Sequence, residues 1–233
     1  MRRHGYDSSM AGIPALVEAL APLDPRGRAT IAQFSREVRN AGLIKSEKRG
    51  RGGATVTFKD AATLLLAVCG SPQPSGAAEA VQRLWSLRLT ADDRIDRLKR
   101  ADLPERLAFL GDRLLFGETV ERLIENAPVL EAWAEEYLAN WFPDEPQQSA
   151  AAFSMNRMAV RNGGRGAAQP VRIVCYFPAP FAEIHLGFPW AALDEDDAYH
   201  GYFGRPAEVS GAGVTMSIEA HVEALVSLHR AVI

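Results

Sequence analysis

Arg26, Arg28, Arg36, Arg39, Lys45, Lys48, Arg49, Arg51 and Lys59 crowd one stretch of a chain that is otherwise acidic. Residues 1–60 hold 11 lysines and arginines against six acids, a net +5, while the rest hold 15 against 23, a net −8. The whole-chain charge of −3 conceals this split. Clustered cations of this kind neutralise phosphates and release condensed counterions, which is the electrostatic footprint of a nucleic-acid contact. Within the stretch, Arg28, Thr30, Gln33, Arg36 and Arg39 can occupy the polar side of one helix. Gln33 and Arg36, three apart, share a face opposite Ile31, Phe34 and Val38. Arginine and glutamine on an exposed helix can hydrogen-bond base edges in a major groove, at about 1–3 kcal/mol of discrimination for each good bidentate pair. Lys48-Arg49-Gly50-Arg51-Gly52-Gly53 is the second feature, because glycines free of side-chain bulk let Arg49 and Arg51 reach a minor groove or run along phosphates. Lys45 and Lys59, at the two ends of that segment, suit phosphate contacts that set register without reading sequence.

Other constellations carry less. His4, His185, His200, His221 and His229 show no metal-ligand spacing with a carboxylate partner, and Gly163-Gly164-Arg165-Gly166 lacks the lysine and hydroxyl of a phosphate loop. Asp194-Glu195-Asp196-Asp197 reads as a solvated loop rather than a cation site. No nucleophile elbow or Ser-His-Asp spacing is present. The expectation is a non-enzyme without metal or cofactor. Cys69 and Cys175 each lie in an apolar run and read as buried, reduced thiols. No run of 18 apolar residues and no signal-peptide pattern occur, so the expected setting is the cytoplasm, with no membrane partner.

The elements that must position the basic residues follow from periodicity. Ile13, Leu16, Val17 and Leu20 mark a short helix, Asp24-Pro25-Arg26-Gly27 a turn, and Ile31, Phe34, Val38 and Ala41 a second helix that Gly42 closes. Leu43-Ile44 and Ala54–Phe58 read as the strands of a hairpin whose tip is the arginine-glycine segment. Thr57 with Asp60 resembles a capping box before a buried helix ending at Gly70. Helices are expected over Ala77–Leu89, Ala91–Arg100, Leu103–Leu110, Gly117–Ala127 and Val129–Phe142, with Trp133, Tyr137, Trp141 and Phe142 as core or oligomer contacts. Pro143–Gln148 is the expected linker. Strands are expected at Phe153–Val160, Val171–Phe177 and Phe181–Phe188, then an irregular loop over Pro189–Gly213 and a helix Ile218–Ala231 capped by Ser217.

The run of Thr30, Ile31, Phe34, Arg36, Gly42, Leu43 and Ile44 before a Gly-Arg segment and a Lys59-Asp60-Ala61-Ala62 helix start resembles the reading head of MerR-type regulators. It is also similar to regulators carried by prophages and mobile elements, and the Arg49-Gly50-Arg51 core is similar to that of AT-hooks. The resemblance covers roughly Ile13 to Gly70 and implies a winged helix-turn-helix that binds double-stranded DNA. The expected architecture is α+β: a winged helix-turn-helix over 1–70, a helical connector and dimerisation region over 71–142, and a small antiparallel sheet with a terminal helix over 153–233. The expected role is sequence-specific transcriptional control by a nucleoid-associated homodimer. The acidic half would then sense an effector or contact RNA polymerase or another regulator. An architectural or recombination-accessory DNA binder, or a protein-interaction adaptor using the basic face, are the alternatives the sequence leaves open.

Overall fold

A computed structural model describes residues 12–45, 55–89, 105–110, 114–141, 170–187, 199–204 and 216–233. Its organising element is the helix Phe58–Gly70 (α3 below), in which every residue from Ala61 to Gly70 is buried. A helix apolar on all sides has to be surrounded. Around it pack α2 (Gly27–Asn40), α4 (Ala77–Trp85), α5 (Phe116–Glu125) and α7 (Val222–Val232), together with strands β1 (Val171–Phe177) and β4 (Met216–His221). Two further α-helices among the described residues are α1 (Ile13–Leu20), which packs on α2 and α7, and α6 (Ala127–Trp141), which packs on α5 and α7.

Enclosure leaves the ends of α3 in need of hydrogen-bond partners. At its start, the Asp60 N–H donates to Thr57 Oγ1 at 3.2 Å and the Thr57 N–H to Asp60 Oδ2 at 2.9 Å, the capping box visible in the sequence. At its finish, two arginines supply the donors. Arg26 Nη2 reaches the Val68 carbonyl at 2.8 Å and Nη1 the Ser71 carbonyl at 2.9 Å, while Arg83 Nη2 reaches the Gly70 carbonyl at 2.7 Å. Two cations at a helix C-terminus also complement its dipole.

The sheet is antiparallel with strand order β3-β2-β1-β4, where β2 is Phe181–Leu186 and β3 is Tyr199–Gly204. Val171, Ile173 and Cys175 of β1 face the helices, as do Ala182, Ile184 and Leu186 of β2, and all are buried. Cys69 of α3 and Cys175 of β1 meet there as free thiols. Hydrogen bonding to Cys69, then burial, pushes the Cys175 thiol well above its ordinary value. Residues from all three sequence segments, 1–70, 71–142 and 153–233, enter one buried cluster running from Leu16 to Leu228.

The α+β class and the antiparallel sheet with a terminal helix agree with the sequence reading, but several elements differ. Thr55–Thr57 is not a strand and Phe58 already belongs to α3, because the capping box commits Thr57 to a helix start. Leu43 and Ile44 form no strand either: the Leu43 N–H bonds the Val38 carbonyl and the Gly42 N–H the Arg39 carbonyl, closing α2 in a Schellman turn at Gly42, φ +72°. The arginine-glycine tip lies outside the described residues. The helix expected to Leu89 stops at Trp85, since Arg88 and Leu89 bridge to Leu115 and Phe203. The segment expected as the helix Leu103–Leu110 is a 3-10 helix over Glu105–Leu110 where it is described. β3 lies inside the segment expected as an irregular loop. Ile218–His221, expected as the first turn of the terminal helix, is the end of β4, and the helix begins at Val222. Pairing with β1 decides this: Ile218 lies opposite Cys175 and Ala220 opposite Ile173, which places both on the buried side of the sheet. The linker Pro143–Gln148, the helix Ala91–Arg100 and the strand Phe153–Val160 lie outside the described residues. Among the described residues no helix is long and apolar enough to cross a membrane.

Candidate nucleic-acid interface

α2 packs on α1, α3 and α4, and its buried residues are Ile31, Phe34, Ser35 and Val38. With 3.6 residues per turn, the opposite side carries Gln33, Arg36 and Asn40, flanked by Arg28 and Arg39, and all five are exposed. Positive φ angles of +79° at Gly27 and +72° at Gly42 bound the helix, so its two ends turn sharply into the neighbouring chain. Arg39 sits in its last turn, where a cation is favoured. Lys45, exposed, continues the basic surface past the Schellman turn.

The candidate residues are not all equally available. Gln33, Arg36, Arg39 and Lys45 have no side-chain hydrogen bond or ion pair with the described residues. Arg28 is paired with Glu18 of α1, an exposed contact worth little in water. Thr30 is half-buried, and its Oγ1 donates to the Arg26 carbonyl at 3.0 Å within the helix. Lys59 is exposed but lies 5.3 Å over the Trp85 ring, at the start of α3 where the helix dipole disfavours a cation. Its charge also bears on Glu121 of α5, whose carboxyl is pushed up by burial and drawn back by Lys59. Lys48, Arg49 and Arg51 lie outside the described residues. Arg26 is a scaffold residue: besides its bonds to α3 it grips Asp24 at 2.6 Å and lies 4.9 Å over the Phe34 ring.

A second polar set occupies the side of the sheet away from α3. The Tyr176 hydroxyl donates to Glu183 Oε1 at 3.0 Å and His185 Nε2 donates to Glu183 Oε2 at 2.7 Å. Tyr202 meets the His185 ring edge-on at 6.3 Å, and Arg172 stands 4.0 Å from Glu219. Burial pushes the Glu183 carboxyl up, but the hydrogen bond and charge of His185 and the bond from Tyr176 outweigh it, so the group stays below its ordinary value. Burial, then the Glu183 charge, raises the Tyr176 hydroxyl. Sequence spacing gave no sign of this set, because Tyr176 and Glu183 meet only through the β1–β2 register that places Val174 opposite Glu183. Histidines judged unremarkable by spacing thus divide. His229 Nδ1 donates to the Ile124 carbonyl at 3.0 Å and its ring stacks on Phe58, whereas His185 belongs to the sheet network.

Comparison with protein-family models, with curated proteins and with solved structures gives no match.

Proposed function

We propose that this chain is a double-stranded DNA-binding regulator that presents α2 to the major groove, with α1 and α2 as a helix-turn-helix pair and the arginine-glycine segment as its wing. The observation that carries the reading is the outer side of α2, where Gln33, Arg36, Arg39 and Asn40 are exposed together and the first three have no side-chain partner among the described residues. A solvated arginine costs little to desolvate against a phosphate, and it keeps its full fork of donors for a base edge. Arg36 and Gln33 would read bases, and Arg39 and Lys45 would hold phosphates. The chain would act as a homodimer on two half-sites, in the cytoplasm and on the nucleoid.

The test is selection of duplexes from a random pool, followed by fluorescence anisotropy of the selected duplex across a salt series. Gln33→Ala and Arg36→Ala relax the preferred sequence, and Arg49→Ala with Arg51→Ala weakens binding to every duplex and flattens the salt dependence. No enrichment of any sequence and no duplex binding at low salt would sink the reading.

A further inference from the structure

The chain has two cysteines, and the fold brings them together. Cys69 lies in the last turn of α3, and Cys175 lies on the α3-facing side of β1, opposite Ala182 and Ile218 of the neighbouring strands. Both thiols are free, and the Cys175 S–H donates a hydrogen bond to the Cys69 sulfur. Arg83 spans the same junction. Its Nη2 bonds the carbonyl of Gly70, the residue after Cys69, at 2.7 Å, and its guanidinium lies 5.6 Å over the ring of Phe177, two residues beyond Cys175. Sulfurs already in contact need little rearrangement to bond.

The two thiols are not equivalent. A cavity of about 550 Å³ opens between the α1–α2 turn, the C-terminal half of α3 and the junction of β4 with α7, and Cys69 lines it beside Leu65 and Val68. Cys69 keeps 3% of its surface exposed and Cys175 none. That trace admits a reagent about the size of water and keeps out a bulky one. Hydrogen peroxide is small and uncharged, so it can enter where a larger oxidant cannot. The hydrogen bond to Cys69, then burial, hold the Cys175 thiol well above its ordinary value, so it keeps its proton while Cys69 reacts. The Arg83 charge pulls the other way and favours the Cys175 thiolate when its own turn comes. A reachable cysteine with a second one poised behind it is the arrangement that captures an oxidised sulfur as a disulfide.

We propose that Cys69 and Cys175 are a peroxide-responsive pair: hydrogen peroxide entering the cavity oxidises Cys69, and Cys175 converts the product to an intrachain disulfide that fastens α3 to β1. In the first step the Cys69 sulfur gives up its proton and attacks one peroxide oxygen. An S–O bond forms, the O–O bond breaks, and the departing hydroxide takes the proton and leaves as water. In the second, the Cys175 sulfur attacks the sulfenic sulfur of Cys69. The S–S bond forms, the S–O bond breaks, and the hydroxyl leaves with the Cys175 proton as a second water. The two thiols lose two electrons and the peroxide gains them. The staple joins segments far apart in sequence, so it constrains the unfolded chain strongly. It does not depend on the reading of α2.

The full, folded chain is treated with millimolar hydrogen peroxide, and its thiols are counted by alkylation after denaturation, with and without reductant. The expected result is loss of both thiols together, their recovery with dithiothreitol, one cross-linked peptide pair holding Cys69 and Cys175, and a Tm raised by at least about 5 °C. Cys175→Ala leaves Cys69 to stop at the sulfenic or sulfinic acid, read as added oxygen by mass, whereas Cys69→Ala leaves Cys175 oxidised at least tenfold more slowly. Cumene hydroperoxide, too bulky for the opening, acts on the native chain at least tenfold more slowly than hydrogen peroxide, each rate being taken relative to free cysteine; this arm decides the route if an alanine chain does not fold. Thiols that survive peroxide in the folded chain, disulfides between chains only, or oxidation of Cys69 with Cys175 left as a thiol overturns the pair. Equal relative rates for the two peroxides, or a Cys175 that reacts undiminished in Cys69→Ala, overturns the assignment of Cys69 as the sulfur that the cavity exposes.

Discussion

The outer side of α2 and the outer side of the sheet both carry charged and polar side chains, yet their surroundings assign them opposite work. On α2, Gln33, Arg36 and Arg39 stand in solvent without a described partner. On the sheet, Glu183 is 16% exposed, His185 8%, and each is hydrogen-bonded within the network. Charge in solvent is held in reserve for something outside the molecule. Charge under cover must be satisfied by its neighbours, because an unpaired buried group is costly. A sequence-level charge count cannot separate the two, since it sees residue types and not their desolvation.

The sharpest way to break this contrast is Glu183→Ala. It strands the Tyr176 hydroxyl and the His185 ring under cover, so chemical denaturation is expected to show a loss of about 2–4 kcal/mol with unchanged DNA affinity. A chain that keeps its stability would mean the sheet network is not structural. Arg26→Ala should cost about 1.5–3 kcal/mol, because the Val68 and Ser71 carbonyls lose charged donors. Its denaturation midpoint should fall while the salt dependence of DNA binding stays put, which separates a scaffold arginine from a reading one. Arg36→Ala with Arg39→Ala should do the reverse: stability within about 0.5 kcal/mol, a relaxed sequence preference, and a salt slope lowered by roughly 0.9 for the one phosphate contact, that of Arg39. The mildest effect comes from protons. His221 is held below its ordinary 6.5 by burial, so the unfolded chain takes up its proton first as pH falls, and stability present above about pH 6.5 is lost below it. Glu183, also depressed, loses its contribution further down, as pH falls below its ordinary 4.5. Denaturation curves from pH 7.5 to 5 should therefore contain a His221 component that weakens the fold as pH falls, opposed lower down by Glu121, whose raised carboxyl takes up its proton first in the folded chain, and His221→Phe should remove the former.

Local signals foretold local structure. Thr57 with Asp60 announced the start of α3, and Gly42 the end of α2, because both devices are written in a few adjacent residues. The apolar rhythm of Ile31, Phe34 and Val38 gave the buried side of α2, and so the exposed one, correctly. What depended on distant pairing was not legible. Ile218 and Ala220 fit a helix as well as a strand until β1 lies beside them. Arg26 looked like one more cation of the basic stretch, although its partners at Val68 and Ser71 are 42 and 45 residues away and become partners only when α3 ends where it does. The tip with Lys48, Arg49 and Arg51 falls outside the described residues, so its part in the DNA reading rests on sequence and on the mutational test.

The meeting of Cys69 and Cys175 has a practical consequence. A thiol acts as a nucleophile only as thiolate and only when a reagent can reach it; the seam between α3 and β1 buries both cysteines and pushes the Cys175 thiol up. The pair is therefore a native clock for that seam. Its labelling rate under a fast thiol reagent counts how often the helical layer lifts away from the sheet, with no probe added to the chain.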